Sequence, residues 1–164
     1  MIQQTIIKVG MADLNVGTQE GVLKTTGLGS CVGLTLFDGV AKIGGMAHVM
    51  LPTSDIAREG SLNIAKYANT AIPELIERMT LLGASITRME AKLAGGAQMF
   101  AFAGSSDTMR IGPRNVESCK AMLIRYHIGI KGEDTGGNYG RTIELNCDSG
   151  ALTIRSVLQG IKEL

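Results

Sequence analysis

Cys31-Val32-Gly33-Leu34-Thr35-Leu36-Phe37-Asp38-Gly39-Val40-Ala41-Lys42-Ile43-Gly44-Gly45-Met46-Ala47-His48-Val49-Met50 reads as two strands folded about a tight turn. Cys31 to Phe37 alternates loosely, with Val32, Leu34 and Leu36 on one face. Asp38-Gly39 is a hairpin turn signal, and Ala41 to Met50 reads as the returning strand. Such a pairing brings the end of the second strand back to the start of the first. Cys31 and His48 are 17 residues apart in the chain, yet the hairpin predicts them side by side.

Outward from the hairpin, Thr5 to Val9 reads as a first strand, and Gly21 to Thr25 leads into the glycine-rich turn. Thr70 to Leu82 is a helix whose apolar stripe is Ile72, Leu75, Ile76, Met79 and Leu82. Pro73 is tolerated there in a first turn, and Gly83 ends the helix. Ile86 to Leu93 is a further strand, closed by Gly95-Gly96. Arg114 to Tyr126 is a second helix, with Val116, Cys119, Leu123 and Tyr126 on its stripe. Ile128 to Lys131, Arg141 to Cys147 and Leu152 to Val157 are strands, the last two joined through Asp148-Ser149-Gly150. The polar end at Lys162-Glu163-Leu164 is expected to fray. Hairpins interspersed with helices predict an α/β fold, a layered mixed β-sheet sandwich with helices packed on the outside. The 164 residues, with no linker, repeat or low-complexity block, are expected to form a single domain, 1–164.

Composition narrows the function. Hydrophobic residues make up 45% of the chain, enough for a real core. The net charge of +1 and the absence of a Lys/Arg cluster argue against a polyanion-binding surface, and aromatics at 4% with no Trp argue against base stacking. No nucleic-acid partner is expected. The first residues carry no secretory leader pattern, and no apolar run is long enough to span a bilayer, so the expected setting is cytoplasmic, with no membrane insertion. Three cysteines without metal-type spacing read as free thiols, and neither a metal nor a cofactor is expected. Asp134-Thr135-Gly136-Gly137 lacks the further carboxylates of a calcium loop and reads as a turn near the active site.

Chemistry concentrates before and within the hairpin. Thr25-Thr26-Gly27-Leu28-Gly29-Ser30-Cys31 ends a glycine-rich turn on a thiol, and His48 follows in an apolar run. A thiol becomes a good nucleophile when ionised, and an imidazole can take its proton. Glycines beside the thiol let backbone N–H groups crowd a reacting carbonyl oxygen. The pattern suggests acyl chemistry on a carbonyl or carboxamide. The ordinary alternative is a small buried thiol and a satisfied core histidine. Cys119 and Cys147 fall on apolar faces and read as buried, inert thiols. His127, at a helix end, has a sufficient structural reading. Met99 and Phe100 are apolar beside two glycines and read either as core or as a partner surface.

Thr25-Thr26-Gly27-Leu28-Gly29-Ser30-Cys31-Val32-Gly33 resembles the signature of CheD, the chemoreceptor glutamine deamidase family. The resemblance continues through 42–52, Lys66-Tyr67-Ala68-Asn69-Thr70-Ala71, 90–100, Ile111-Gly112-Pro113-Arg114-Asn115-Val116 and Glu133-Asp134-Thr135-Gly136-Gly137-Asn138, in the expected order. Pro113 is a small departure and touches no catalytic position. The resemblance implies a Cys31 nucleophile, a His48 base and a Thr25 that orients the imidazole. Backbone N–H groups of Cys31, with Ser30 or Gly29, would then stabilise the oxyanion. The substrate so implied is a glutamine on the cytoplasmic helices of a chemotaxis receptor, converted to glutamate. A second implied partner is the CheC phosphatase, and Met99 and Phe100 are the expected contact for both. The alternative is a binding module that mainly regulates CheC. A small-molecule cysteine amidase is a third reading that no ligand motif supports.

Overall fold

The computed structural model describes residues 4–56, 62–99 and 110–164. In chain order the strands and α-helices are β1 (Thr5–Lys8), β2 (Leu14–Gly17), β3 (Gly21–Leu28), β4 (Val32–Asp38), β5 (Ile43–Val49), α1 (Ala68–Leu81), β6 (Met89–Gly95), α2 (Ile111–Arg125), β7 (Gly129–Thr135), β8 (Arg141–Asn146), β9 (Leu152–Ser156) and β10 (Gly160–Glu163). Two five-stranded mixed sheets result. One runs β1-β3-β8-β9-β10 and the other β2-β5-β4-β6-β7. The pairs β1/β3 and β6/β7 are parallel.

The hairpin forms as the alternation predicts, with β4 and β5 antiparallel and Gly33 opposite His48. β4 also pairs with β6 on its other edge, which makes it the centre of its sheet. Val32, Leu34 and Leu36 face the helices, in a core with Ile72, Leu75, Met79, Cys119 and Leu123. The other face of the same sheet packs on the second sheet, in a core containing Leu23, Leu28, Cys31, Met46, Ile143, Leu145 and Cys147. The order of layers is therefore helices, sheet, sheet, and among the described residues the helices cover one sheet only. Gly33 permits the close approach of the sheets, since a Cβ there would stand 2.4 Å from Ile143 Cδ1.

Several expectations are corrected. α1 begins at Ala68, because the N–H groups of Thr70 and Ala71 already bond to the Tyr67 carbonyl. Pro73 thus sits in the second turn, where its ring removes the bond to the Asn69 carbonyl. The stripe ends at Met79. Leu82 is the cap residue, half exposed, where the chain turns away through Gly83. β2 is an edge strand that the alternation did not single out. The C-terminal residues do not fray: β10 pairs with β9, and Leu164 and Leu152 exchange two backbone hydrogen bonds.

Candidate active site

β3 carries Thr25 inward and then gains a residue. Thr25 stands opposite Ile143 and Leu28 opposite Arg141, with two residues between them on one strand against one on the other. The extra residue makes a bulge at Thr26-Gly27, with Gly27 at φ +70°. The bulge returns Leu28 to the buried face and throws the chain across to the second sheet. There Gly29-Ser30-Cys31 leads into β4.

His48 enters from the second sheet. It is fully buried, and its Nδ1 lies 2.7 Å from Thr25 Oγ1. This hydrogen bond between two side chains spans the two sheets. Since Gly33 faces His48 in the ladder, Cys31, two residues before Gly33, lies diagonally across from the imidazole on the same face. His48 Nε2 is buried and has no hydrogen-bond partner among the described residues. Cys31 itself is 8% exposed, at the margin of the inter-sheet core.

The electrostatics favour neutral partners at rest. Burial pushes the Cys31 thiol up, partly opposed by its own backbone N–H. Burial lowers the His48 pKa, and the Asp13 carboxylate partly restores it. Cys119 and Cys147 are fully buried, their thiols pushed by burial to about 12 and about 11. Both sit in apolar cores, as their positions on apolar faces predict.

The turn before Cys31 is clamped from two directions. Gly96 N–H donates to the Cys31 carbonyl at 2.8 Å and Ala97 N–H to the Gly29 carbonyl at 2.9 Å. At Gly95, φ is +105° and a Cβ would lie 2.3 Å from the Cys31 carbonyl oxygen, so only glycine fits. The turn at 136–137 braces the same segment: Gly136 N–H bonds to the Gly95 carbonyl and Gln98 N–H to that of Gly137. From the helix side, Asn115 Nδ2 donates to the carbonyls of Ser30 and Met50 at 3.0 and 2.9 Å.

Thr25, Cys31 and His48 are thus gathered at one end of the sandwich. Gly29 N–H is already engaged with the Gly27 carbonyl, which leaves Ser30 and Cys31 as the expected oxyanion donors. Met99 is 44% exposed and packs on Gly29, beside the cysteine turn. Phe100 lies outside the described residues. His127 is remote in role: at φ +58° it is the left-handed residue closing α2, with its N–H and that of Ile128 bonded to the carbonyls of Ile124 and Leu123. The sequence reading did not single out Asn115 or the contact of Gly95-Gly96 with the cysteine turn. The signal for Asn115 was its place one turn before Cys119, a polar residue on a buried stripe.

Comparison with known proteins gives the family. A family model described as CheD chemotactic sensory transduction matches residues 50–156. A chemoreceptor glutamine deamidase CheD of Halalkalibacterium halodurans is 52% identical over 159 residues, which span 97% of this chain and 98% of that protein. The protein of that name from Bacillus subtilis is 45% identical over 99% of this chain and 98% of its own length. The family model begins after His48, whereas the two relatives match nearly the whole chain. The crystal structure of Neisseria meningitidis protein NMB0706 has a TM-score of 0.52 at 10% identity, covering 83% of this chain and 65% of that one, a likeness of fold alone. With a family model over most of its length and relatives matched nearly end to end, the chain belongs to the CheD family.

Proposed function

We propose that this chain deamidates glutamine side chains of chemotaxis receptors, with Cys31 as nucleophile, His48 as base and acid, and Thr25 as the residue that orients the imidazole. The observation that carries the reading is the Thr25–His48 bond, which leaves a buried Nε2, without a partner among the described residues, on the face of the hairpin that holds Cys31. For Nε2 to act as a base, Nδ1 must hold the ring proton and donate it to Thr25 Oγ1.

Cys31 Sγ attacks the glutamine carboxamide carbon as its proton passes to Nε2. The oxyanion lies against backbone N–H groups at Ser30 and Cys31. His48 then gives its proton to the amide nitrogen, the C–N bond breaks and ammonia leaves. Water attacks the thioester with His48 again taking the proton, which frees glutamate and restores the thiol. A neutral amide becomes a carboxylate, and on helical receptor arms the new like charges repel.

Met99, exposed against the cysteine turn, is the contact we assign to the receptor helix and to a CheC partner. Deamidation of a receptor cytoplasmic fragment tests the reading. His48→Ala is expected to lose on the order of 10²–10⁴-fold in rate, while His127→Asn, which keeps the left-handed backbone, stays near wild type. Equal rates in the two variants would contradict the base assignment. In the same assay Met99→Glu is expected to raise KM and spare kcat, and an unchanged KM would remove it from the contact.

A further inference from the structure

Asn115 is fully buried on α2, and its side-chain amide NH2 donates to two carbonyls, those of Ser30 and Met50. Neither belongs to an ordinary helix contact. The β4/β5 ladder ends at the Val32–Val49 pair, and the next residues along are Cys31 and Met50. Asn115 thus closes the hairpin just where its own ladder stops, between the cysteine turn and the strand that carries His48. Because both partners are acceptors, the amide's orientation is fixed with nitrogen toward them. Its Oδ1 is left buried with no partner among the described residues. An apolar side chain of similar size would fill the volume without that orphan acceptor, so packing alone does not account for an asparagine here.

The Ser30 carbonyl belongs to the same peptide unit as the Cys31 N–H. A trans peptide is planar, with C=O and N–H pointing in opposite directions. Fixing the oxygen on Asn115 therefore aims the N–H away from α2, to the side of the sheet on which Cys31 lies. A donor on the carbonyl also polarises the unit and strengthens its N–H as a donor. We propose that Asn115 is a positioning residue that orients the Ser30–Cys31 peptide, and so the oxyanion donor, while locking it to the strand of His48. This rests on the reading of Cys31 as the nucleophile.

The test uses the full chain and a receptor cytoplasmic fragment, with iodoacetamide as a probe of the thiol. Asn115→Ala is expected to lose about 10²-fold in kcat with KM little changed, and its Cys31 alkylation profile is expected to move to higher pH. Asn115→Ser, which keeps one donor, is expected to recover part of both. A folded Asn115→Ala protein with wild-type kcat and an unmoved alkylation profile would overturn the proposal. Wild-type protein supplies an arm that needs no variant to fold. Capping Cys31 with iodoacetamide is expected to shift the Asn115 side-chain amide resonances, and unshifted resonances would overturn the proposal. Cys31→Ala, assayed alongside, separates the two claims, since its activity would sink the nucleophile reading and not merely the role of Asn115.

Discussion

A buried imidazole and a buried thiol both resist charge, and here each is held neutral by its surroundings. Burial lowers the His48 pKa from 6.5, and Asp13 alone opposes it. Burial raises Cys31 above 9.0. The base is therefore ready at any pH where the imidazole is neutral, and the acid limb of activity is expected below pH 6.5. Asp13→Asn removes the opposing charge and keeps one oxygen acceptor, so only one of the Gly10 and Leu14 N–H groups, which bond to different carboxylate oxygens, keeps its partner. It is expected to move the acid limb of kcat/KM to still lower pH, and a limb that moves up or stays would show that Asp13 does not face the ring. The same lowered pKa affects stability. The unfolded chain takes up a proton near 6.5 that the folded chain refuses, so this group's contribution is present above that value and is lost below it. The placing of Cys31 and His48 on one face was legible because a glycine turn and a hairpin signal bracket them; the pair alone was a weak signal, and their roles came with the family resemblance. Thr25 entered through the family resemblance, since a threonine before a turn is an ordinary strand residue. Asn115 escaped because a polar residue in a helix reads as surface, and only its partners in other elements make it part of the site.

Among the elements, the strands that carry the site are shaped by their irregularities. The bulge of β3 points Thr25 at one sheet's neighbour and releases the chain to the other sheet. Gly95-Gly96 ends β6 against the cysteine turn. Gly95→Ala forces a Cβ into the Cys31 carbonyl at a positive φ. It is expected to cost about 2 kcal/mol or more in a denaturant melt and to lower deamidation beyond the loss of folded protein. A variant as stable and active as wild type would show that the clamp is slack. The hairpin was legible because both alternation and turn chemistry agreed. β2 was not, since Leu14 and Val16 offer only two apolar positions between polar neighbours. β10 was not, because an edge strand exposed on both faces has no apolar side to show, and its pairing to β9 is decided by the partner.

At the scale of the whole molecule, three layers leave the central sheet buried on both faces, and this sheet carries Cys31 and His48. Its far end is tied by Asp38. Burial would raise that carboxylate, but the Arg88 guanidinium at 2.9 Å and the N–H groups of Ser85, Ala41 and Val40 more than offset it and hold it well below the ordinary value. Its contribution is present above the ordinary carboxylate pKa of 3.8 and is lost as acid protonates it. Asp38→Asn is expected to cost about 2 kcal/mol at neutral pH and to flatten the loss of stability below pH 4; an equally steep acid limb would place that sensitivity elsewhere. The sandwich class was legible from hairpins alternating with helices. The parallel pairs were not, because their strands are joined through other elements and carry no local signal. The most direct test of the account is peptide mass spectrometry of a receptor cytoplasmic fragment after incubation with wild-type protein and with Cys31→Ala. Conversion of specific glutamines to glutamate by the wild type and none by a folded Cys31→Ala protein is the predicted result, and full conversion by Cys31→Ala would contradict it.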